Sequence, residues 1–259
     1  MVCKRLSASK AATTQSDGGG DDELRQVDPS WTCQDCTFRG LPFCSSITVA
    51  AGNSPPVEVS RNQAKARQTI QRKDQRVEQV YVIREGWAFR YAITASGRRQ
   101  ILSFLMPGDL IHSRSLFDDK MAYSVQSITD VAYCGFDLDF LQKLVAKNSE
   151  LIRVLFDHYA EERMLSEERL IDLGTRSAEE RVVRFLLEIM RRLDKRGQVH
   201  NQMFHLPLKQ IHLADALGLT QVHVNRVLKR LREGGLIEWS RGVLKVEDVP
   251  AMMQIADMR

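Results

Sequence analysis

The spacing of hydrophobic residues divides this chain of 259 residues into regions of different structure. Residues 1–28 are polar and glycine-rich, so we expect them to form a disordered tail. From about residue 77, short β-rich stretches separated by turn residues predict a small all-β barrel or sandwich that ends near residue 135. The strand candidates are Val80–Ile83, Ala88–Ile93 and Gln100–Leu105.

After the strands, hydrophobic positions recur at alternating spacings of four and three residues, which is typical of a coiled-coil seam. We expect this helix to pair with a second copy of the chain, and the polar seam positions should make the pairing adjustable. The alternative is a surface helix packed on its own β domain. The predicted seam residues are Ile152, Phe156, Tyr159, Arg163, Ser166, Leu170 and Leu173.

The C-terminal region has the pattern of a winged helix-turn-helix. Ser177 and Glu180 have the spacing of a capping box at the start of a helix. Lys209–Leu217 then predicts a helix with Ile211, Leu213, Ala214 and Leu217 facing inward. The Gly218-Leu219 turn leads to a second helix that begins at Thr220 and ends near Glu233, and a hairpin follows over residues 236–246. The alternative is a helical hairpin with one solvated face.

The outward face of the second helix predicts contacts with the DNA major groove. Arg226 can pair with guanine, Asn225 with adenine, and Val222 can touch a thymine methyl group. The helix N-terminus suits a phosphate, and basic side chains further along the helix would contact the backbone of any sequence. The predicted DNA-binding residues are Thr220, Gln221, Val222, His223, Asn225, Arg226, Lys229 and Arg230.

Composition narrows the classes of function that these elements can serve. The net charge is only +4, so DNA binding has to come from a local basic patch. No apolar run approaches the length of a membrane span, and the N-terminus lacks the apolar core of a secretory signal. We therefore expect a cytoplasmic protein that does not bind membranes. Neither a glycine-rich phosphate loop nor a nucleophile–base set is visible in the sequence, so we do not expect an enzyme.

Four cysteines are the candidate chemical site. Cys33, Cys36 and Cys44 lie close together in sequence, and Cys134 follows far downstream, whereas Cys3 lies in the tail and is given no role. Four thiolates can hold an iron–sulfur cluster or a tetrahedral zinc ion. A thiol–disulfide switch and unliganded thiols are the other interpretations. An enzyme or metal chaperone that uses these cysteines directly is the alternative from another class, and the helix-turn-helix pattern disfavours it.

The chain resembles the Crp/Fnr family of bacterial transcription regulators over about residues 30–250. Close matches are the stretches Ser177-Ala-Glu-Glu-Arg-Val182 and Leu213-Ala-Asp-Ala-Leu-Gly-Leu-Thr220. The resemblance implies an α+β fold with a β-roll sensor domain, like a cyclic-nucleotide-binding domain, over residues 29–136 that includes the cysteine segment. It also implies a dimerisation helix over 137–175 and a winged helix-turn-helix over 176–250. RNA polymerase is a further expected partner if the protein activates transcription.

The cysteine spacing resembles that of Fnr-type oxygen sensors from α-proteobacteria. This resemblance implies a [4Fe–4S] cluster on Cys33, Cys36, Cys44 and Cys134 that oxygen degrades, with loss of a homodimer bound to palindromic DNA. An alternative is a regulator of the same family whose zinc or thiol site does not sense oxygen.

Two departures from the family pattern change the expectations. His112-Ser113 and the stretch Lys120–Ser124 replace the Glu and Arg that hold a cyclic nucleotide in relatives, so we expect no cyclic nucleotide. Val222 stands where Fnr-type recognition helices have Glu, which puts the usual TTGAT half-site in question.

Overall fold

A computed structural model describes residues 33, 36–51, 59–111 and 116–258. The predicted disordered tail, Cys3 and the His112-Ser113 pair lie outside the described residues. Nothing in the described ranges forms a helix both long and apolar enough to cross a membrane.

The N-terminal unit contains two antiparallel sheets preceded by a short helix, α1 (Pro42–Ala50). One sheet has three strands in the order β1-β7-β3, and the other has four in the order β2-β6-β4-β5. The strands are β1 (Ser60–Ala64), β2 (Thr69–Gln71), β3 (Gln79–Glu85), β4 (Ala88–Ile93), β5 (Arg99–Leu105), β6 (Ser124–Ser127) and β7 (Val131–Asp137). The predicted strands 80–83, 88–93 and 100–105 therefore lie in β3, β4 and β5.

Gly86 forms the tight turn between β3 and β4. Its φ is +83°, a conformation that L side chains rarely adopt, and a Cβ atom there would lie 2.0 Å from the Asp130 carbonyl oxygen. Only glycine satisfies both conditions without a shift of the backbone. The turn thereby directs the chain from β3 in one sheet to β4 in the other.

Two helices occupy the region 137–175, where the sequence predicted one dimerisation helix. The first is α2 (Leu138–Val145), whose N-cap Asp137 accepts a hydrogen bond from the Phe140 amide. The second is α3 (Ser149–Thr175), capped in the same way by Asn148. Leu151, Val154 and Leu155 at the start of α3 are buried against the N-terminal unit, which anchors the long helix to it.

The C-terminal unit is a winged helix-turn-helix, as predicted. It begins with α4 (Ala178–Asp194), at whose start Ser177 and Glu180 form the complete capping box. Its sheet has the strand order β8-β10-β9, and a short helix follows the sheet. The remaining elements are β8 (Met203–His205), α5 (Gln210–Leu217), α6 (Gln221–Glu233), β9 (Ile237–Ser240), β10 (Val243–Val246) and α7 (Val249–Ile255).

The N-terminal and C-terminal units share one hydrophobic core. The Phe104 ring of β5 lies 5.4 Å from the Phe185 ring of α4, measured between centroids. At the edge of this contact the Arg99 guanidinium lies 2.7 Å from the Asp215 carboxylate of α5. Further members of the core are Phe89 and Ile101 from the sheet, Trp87 and Met106 next to its strands, and Val182, Leu186, Ile189, Leu213 and Leu217 from the helices. The orientation of the helix-turn-helix is therefore fixed by burial against the four-stranded sheet.

Some details of the sequence prediction differ from the structure. Helix α1 and strands β1, β2 and β6 were not predicted. Ile211, which was predicted to face inward on α5, is 38% exposed, whereas Ala216 is buried instead. The reason is that α5 is a short helix packed on both α6 and β5, so its buried face is rotated towards Ala216.

His212 on α5 generates a pH prediction for the contact between the two units. Burial, followed by the nearby charges of Arg99 and Lys209, lowers the pKa of His212 from 6.5 to about 4. Its ring stacks on Phe89 at 5.7 Å and its Nδ1 accepts a hydrogen bond from the Lys209 amide.

Because the folded pKa is depressed, the unfolded chain takes up the proton first as pH falls. The contribution of neutral His212 is complete above about pH 6.5 and is lost as the pH falls to about 4. We expect His212→Gln to reduce the dependence of the free energy of unfolding on pH in this window, measured by urea denaturation. His223→Gln, on the exposed face of α6, is the matched control; equal pH slopes for wild type and His212→Gln would contradict the prediction.

Candidate functional site

The described part of the cysteine segment, residues 33 and 36–44, contains a turn that leads into a helix. The Cys36 amide donates to the Cys33 carbonyl at 3.4 Å, and the Arg39 amide donates to the Cys36 carbonyl at 3.1 Å. Pro42 then occupies the first turn of α1, where its missing N–H costs nothing. Cys44 follows within this first turn, so the helix places the third cysteine of the segment.

Helix α1 is docked on the end of strand β7 by apolar side chains. Phe43 and Ile47 are buried, and the Phe43 ring meets the Phe136 ring edge-on with centroids 5.9 Å apart. Cys44 packs at the margin of the same apolar cluster, to which Cys134 belongs. The packing of α1 therefore places Cys44 in the same cluster as Cys134.

Cys134 lies on the central strand of the three-stranded sheet. It is opposite Arg61 of β1 and Val82 of β3, and its side chain is buried. The next residue, Gly135, is closely packed: a Cβ atom there would lie 2.3 Å from both the Ser60 hydroxyl and the Gln79 side-chain oxygen, so these side chains would have to shift. The strand is thus tightly held on both sides at the position of the fourth cysteine.

Burial and the other cysteines together raise the pKa values of three of the thiols. Burial first, and then the proximity of Cys33, Cys44 and Cys36, raises the pKa of Cys134 to about 12. Burial, with Cys36 and Cys33 nearby, also raises the pKa of Cys44 to about 12. All four side chains lack disulfide partners. As thiols, Cys44 and Cys134 are neutral at pH 7, so a bound metal must displace their protons.

Two arginines near the cysteines were not predicted from the sequence. Burial and Cys36 raise the pKa of Cys33, whereas the charges of Arg39 and Arg61 act in the opposite direction. Both therefore favour the thiolate that a metal requires. Arg39 lies within the cysteine segment and could have been noticed there, but Arg61 reaches the site only because β1 pairs with β7.

The donor set is all sulfur, which suits iron–sulfur clusters and zinc. Among the described residues, no group of three or more His, Cys, Asp or Glu side chains could hold a metal ion as placed. A [4Fe–4S] cluster distributes its four thiolates over four irons and therefore spaces them more widely than one ion does. The all-sulfur donor set is the feature that would suit such a cluster.

The predicted seam on α3 is an uncovered stripe. Its apolar members are exposed in the single chain, with Phe156 67% and Leu170 70% accessible. In the middle, Ser166 donates its hydroxyl to the Glu162 carbonyl at 2.9 Å and Arg163 pairs with Glu167 at 2.8 Å. Ile152, Tyr159 and Leu173 complete the exposed apolar members. Polar groups therefore interrupt the stripe as the sequence predicted.

Helix α6 exposes the predicted DNA-binding face. Thr220 caps the helix by accepting from the His223 amide at 3.3 Å. Val224, Val227, Leu228 and Leu231 are buried, and Val222 is 67% exposed. Arg230 lies 3.3 Å from Glu179 of α4, an intrachain pairing that the sequence did not predict. Gln221, His223, Asn225, Arg226 and Lys229 are exposed beside Val222.

Comparison with family models gives two matches that together span more than half of the chain. Residues 180–255 match the Crp-like helix-turn-helix domain. Residues 61–148 match the cyclic nucleotide-binding domain. These ranges correspond to the C-terminal unit and to the two sheets with α2.

Comparison with characterised proteins and solved structures gives the same picture. The chain is 24% identical over 225 residues to the transcriptional activator protein FnrA of Stutzerimonas stutzeri, covering 86% of this chain and 92% of FnrA. It is 25% identical over 230 residues to the anaerobic regulatory protein of Pasteurella multocida, covering 86% and 82%. The structure of FixK2 from Bradyrhizobium japonicum superposes with a TM-score of 0.70 at 26% identity, covering 76% of this chain and 97% of FixK2.

Proposed function

The chain belongs to the Crp/Fnr family of DNA-binding transcription regulators, and from this premise we propose that it senses oxygen through a [4Fe–4S] cluster. It is a regulator and not an enzyme. The cluster would be held by Cys33, Cys36, Cys44 and Cys134 and would control dimerisation and DNA binding.

The observation that carries the proposal is the meeting of four thiols from two distant parts of the chain. Three come from the cysteine segment, and the fourth comes from β7, where its pKa responds to the other three. When bound, the cluster supplies an oxygen-labile link between these parts. One similar protein is named an anaerobic regulatory protein, which agrees with this assignment. The alternatives are a zinc site and a thiol–disulfide switch, and the iron measurement below distinguishes the cluster from both.

The link would affect dimerisation because α1, which carries Cys44, packs on α3, and α3 carries the seam. Helix α1 packs on α3, and the buried residues at the start of α3 share the apolar cluster of Phe43 and Cys134. A segment tied down at Cys134 holds α1 on this cluster and thereby steadies α3. The exposed stripe of Phe156, Leu170 and their neighbours would then pair with a second copy of the chain.

The dimer would bind a palindrome whose half-sites are about 34 Å apart. Val222, Asn225 and Arg226 would face base edges, and His223 would lie beside them. Thr220, Gln221, Lys229 and Arg230 would contact phosphates, and Arg230 would have to leave or share Glu179 to do so. We assign no cyclic nucleotide, because the Glu and Arg that hold it in relatives are replaced in this sequence. A reducing cytoplasm suits the four reduced thiols, and RNA polymerase is the further partner if the protein activates transcription.

The first prediction concerns iron. Anaerobically purified protein should be brown, hold about four irons per chain and bleach in air. Substituting Ser for Cys33, Cys36, Cys44 or Cys134 should abolish the absorbance, because each thiolate binds one iron. Cys3→Ser is the matched control and should retain it. Colourless anaerobic protein with stoichiometric zinc would contradict the proposal.

The second prediction concerns the seam. Ser166→Leu replaces a polar layer with a side chain whose burial contributes about 1.5–3 kcal/mol, so this variant should stay dimeric in air. The wild type should be a dimer with the cluster and mostly a monomer without it. Sedimentation measures both. Asp157→Leu, which adds leucine to α3 outside the seam, should behave as wild type; one oligomeric state under all conditions would refute the mechanism.

The third prediction concerns base recognition. Arg226→Ala should cost about 1–3 kcal/mol and relax specificity at one G·C pair. Lys229→Ala should weaken all sequences alike and reduce the salt slope by about one, whereas Lys143→Ala on α2 should leave the slope unchanged. Fluorescence anisotropy measures these effects.

Val222→Glu restores an acceptor and should move the site selected from random DNA towards the TTGAT half-site. Identical selected motifs for wild type and this variant would mean that Val222 reads no base.

A further inference from the structure

The turn Pro107-Gly108-Asp109, which follows β5, lies between the cysteine segment and the DNA-binding unit. The Gly108 amide donates to the Ile83 carbonyl at 2.8 Å, and the Ile83 amide donates to the Asp109 carbonyl at 2.9 Å. The turn is therefore held on β3, the strand that pairs with Cys134 through Val82. Its position is set by the same sheet that carries the fourth cysteine.

The cysteine segment packs directly on this turn. A Cβ atom at Gly108 would lie 2.3 Å from the Leu41 side chain and 3.7 Å from the Phe38 ring. Gly108 also has a φ of +93°, so glycine is required both by the backbone conformation and by the close approach. Leu41 and Phe38 stand between Cys36 and Cys44 in the sequence, so whatever fixes these cysteines also fixes the contact.

On its other side the turn holds the end of helix α4 through ion pairs. The buried Asp109 carboxylate accepts from the Arg192 guanidinium at 2.8 Å and pairs with Arg196 at 2.5 Å. It also accepts from the Met106 amide, which keeps the turn closed. Although burial opposes ionisation, Arg192 and Arg196 hold the pKa of Asp109 below its ordinary value. A buried carboxylate with two guanidinium partners is a directional link, since separating them leaves uncompensated charges.

The two contacts are adjacent. The position that a Cβ of Gly108 would occupy is 3.7 Å from the Arg196 Nε as well as from Phe38. The Arg196 Nη1 atom is buried and has no hydrogen-bond partner among the described residues, so water that entered here could hydrogen-bond to it. Leu41, Phe38 and the Arg196 guanidinium thus converge on Gly108. We expect that truncating Leu41 would admit water beside Arg196 and weaken the pairs.

We propose that Asp109, Arg192 and Arg196 are positioning residues through which the cysteine segment sets the orientation of the DNA-binding unit within each chain. Helix α4 packs on α6, so a shift at the end of α4 reaches the recognition helix. This route acts in addition to dimerisation. That the signal is oxygen rests on the proposed function. That the cysteine segment is connected to α4 rests on the contacts described above.

The test is hydrogen exchange of the full chain, purified anaerobically, with the iron content of each sample measured. Leu41→Ala removes the cover, and Asp109→Asn retains an acceptor for Met106 but loses the charge. Both should raise exchange over residues 188–198 at least tenfold and weaken DNA binding at least fivefold. The double variant should show little more exchange and little weaker DNA binding than either single variant, because both substitutions break the same connection between the cysteine segment and α4. Arg153→Gln, which breaks exposed ion pairs of α3, is the control.

Effects of Leu41→Ala that stay within residues 36–51 and 106–111 would overturn the inference, and so would additive effects of the two substitutions. It would also be overturned if exchange rose at α4 while DNA affinity stayed at the wild-type value. Leu41→Ala only removes atoms at a half-buried position, and circular dichroism establishes that each variant folds. Wild-type protein without iron would contradict the proposed function. The comparison of variants with wild type still tests whether the cysteine segment is connected to α4, with or without iron.

Discussion

The packing of helix α1 on the end of strand β7 is the contact on which the proposed cysteine site depends. Phe43 and Ile47 are buried there, with the Phe43 ring against Phe136, and this apolar contact brings Cys44 beside Cys134. Burial of two large apolar side chains stabilises the contact by several kcal/mol, about 1.5–3 kcal/mol for each. Without it, the three N-terminal cysteines would be separated from the fourth. The same apolar cluster includes the start of α3, so the cysteine site and the seam share one foundation.

A second constraint is that the sensor sheet and the helix-turn-helix share a core. Phe104 against Phe185, and Arg99 against Asp215, leave the C-terminal unit little freedom to move while these contacts persist. The proposed signal at the cysteines would therefore have to act on contacts that already fix the recognition helix. The Asp109 ion pairs, which are adjacent to the cysteine segment, are the contacts best placed to receive it.

The fold was largely predictable from the sequence because its main elements have strong local signals. Ser177 and Glu180 form the capping box, and Thr220 caps α6, at the positions that the spacing indicated. Strand β1 had no such signal: its sequence, Ser-Arg-Asn-Gln-Ala, is polar, and it is a strand only because β7 offers it a partner. Helix α1 was missed because it is short and contains β-branched residues, which disfavour helices in isolation.

The sequence named the candidate residues but not their surroundings. Spacing indicated the three N-terminal cysteines and the outward face of α6, and the family resemblance indicated Cys134 as the fourth ligand; the roles of these residues stay predictions. The pairing of Arg230 with Glu179, the approach of Arg61 to Cys33 and the ion pairs of Asp109 join residues far apart in sequence, and only the tertiary structure brings them together.

The most direct test of the account follows the cysteine site and DNA binding in one sample. Oxygen is added stepwise to anaerobic protein bound to fluorescent palindromic DNA, while the absorbance of the cluster and the anisotropy of the DNA are recorded together. The account predicts that both signals fall with the same fractional progress. DNA that stays bound after the absorbance is lost, or that leaves while the absorbance is intact, would contradict the claim that the four cysteines control DNA binding.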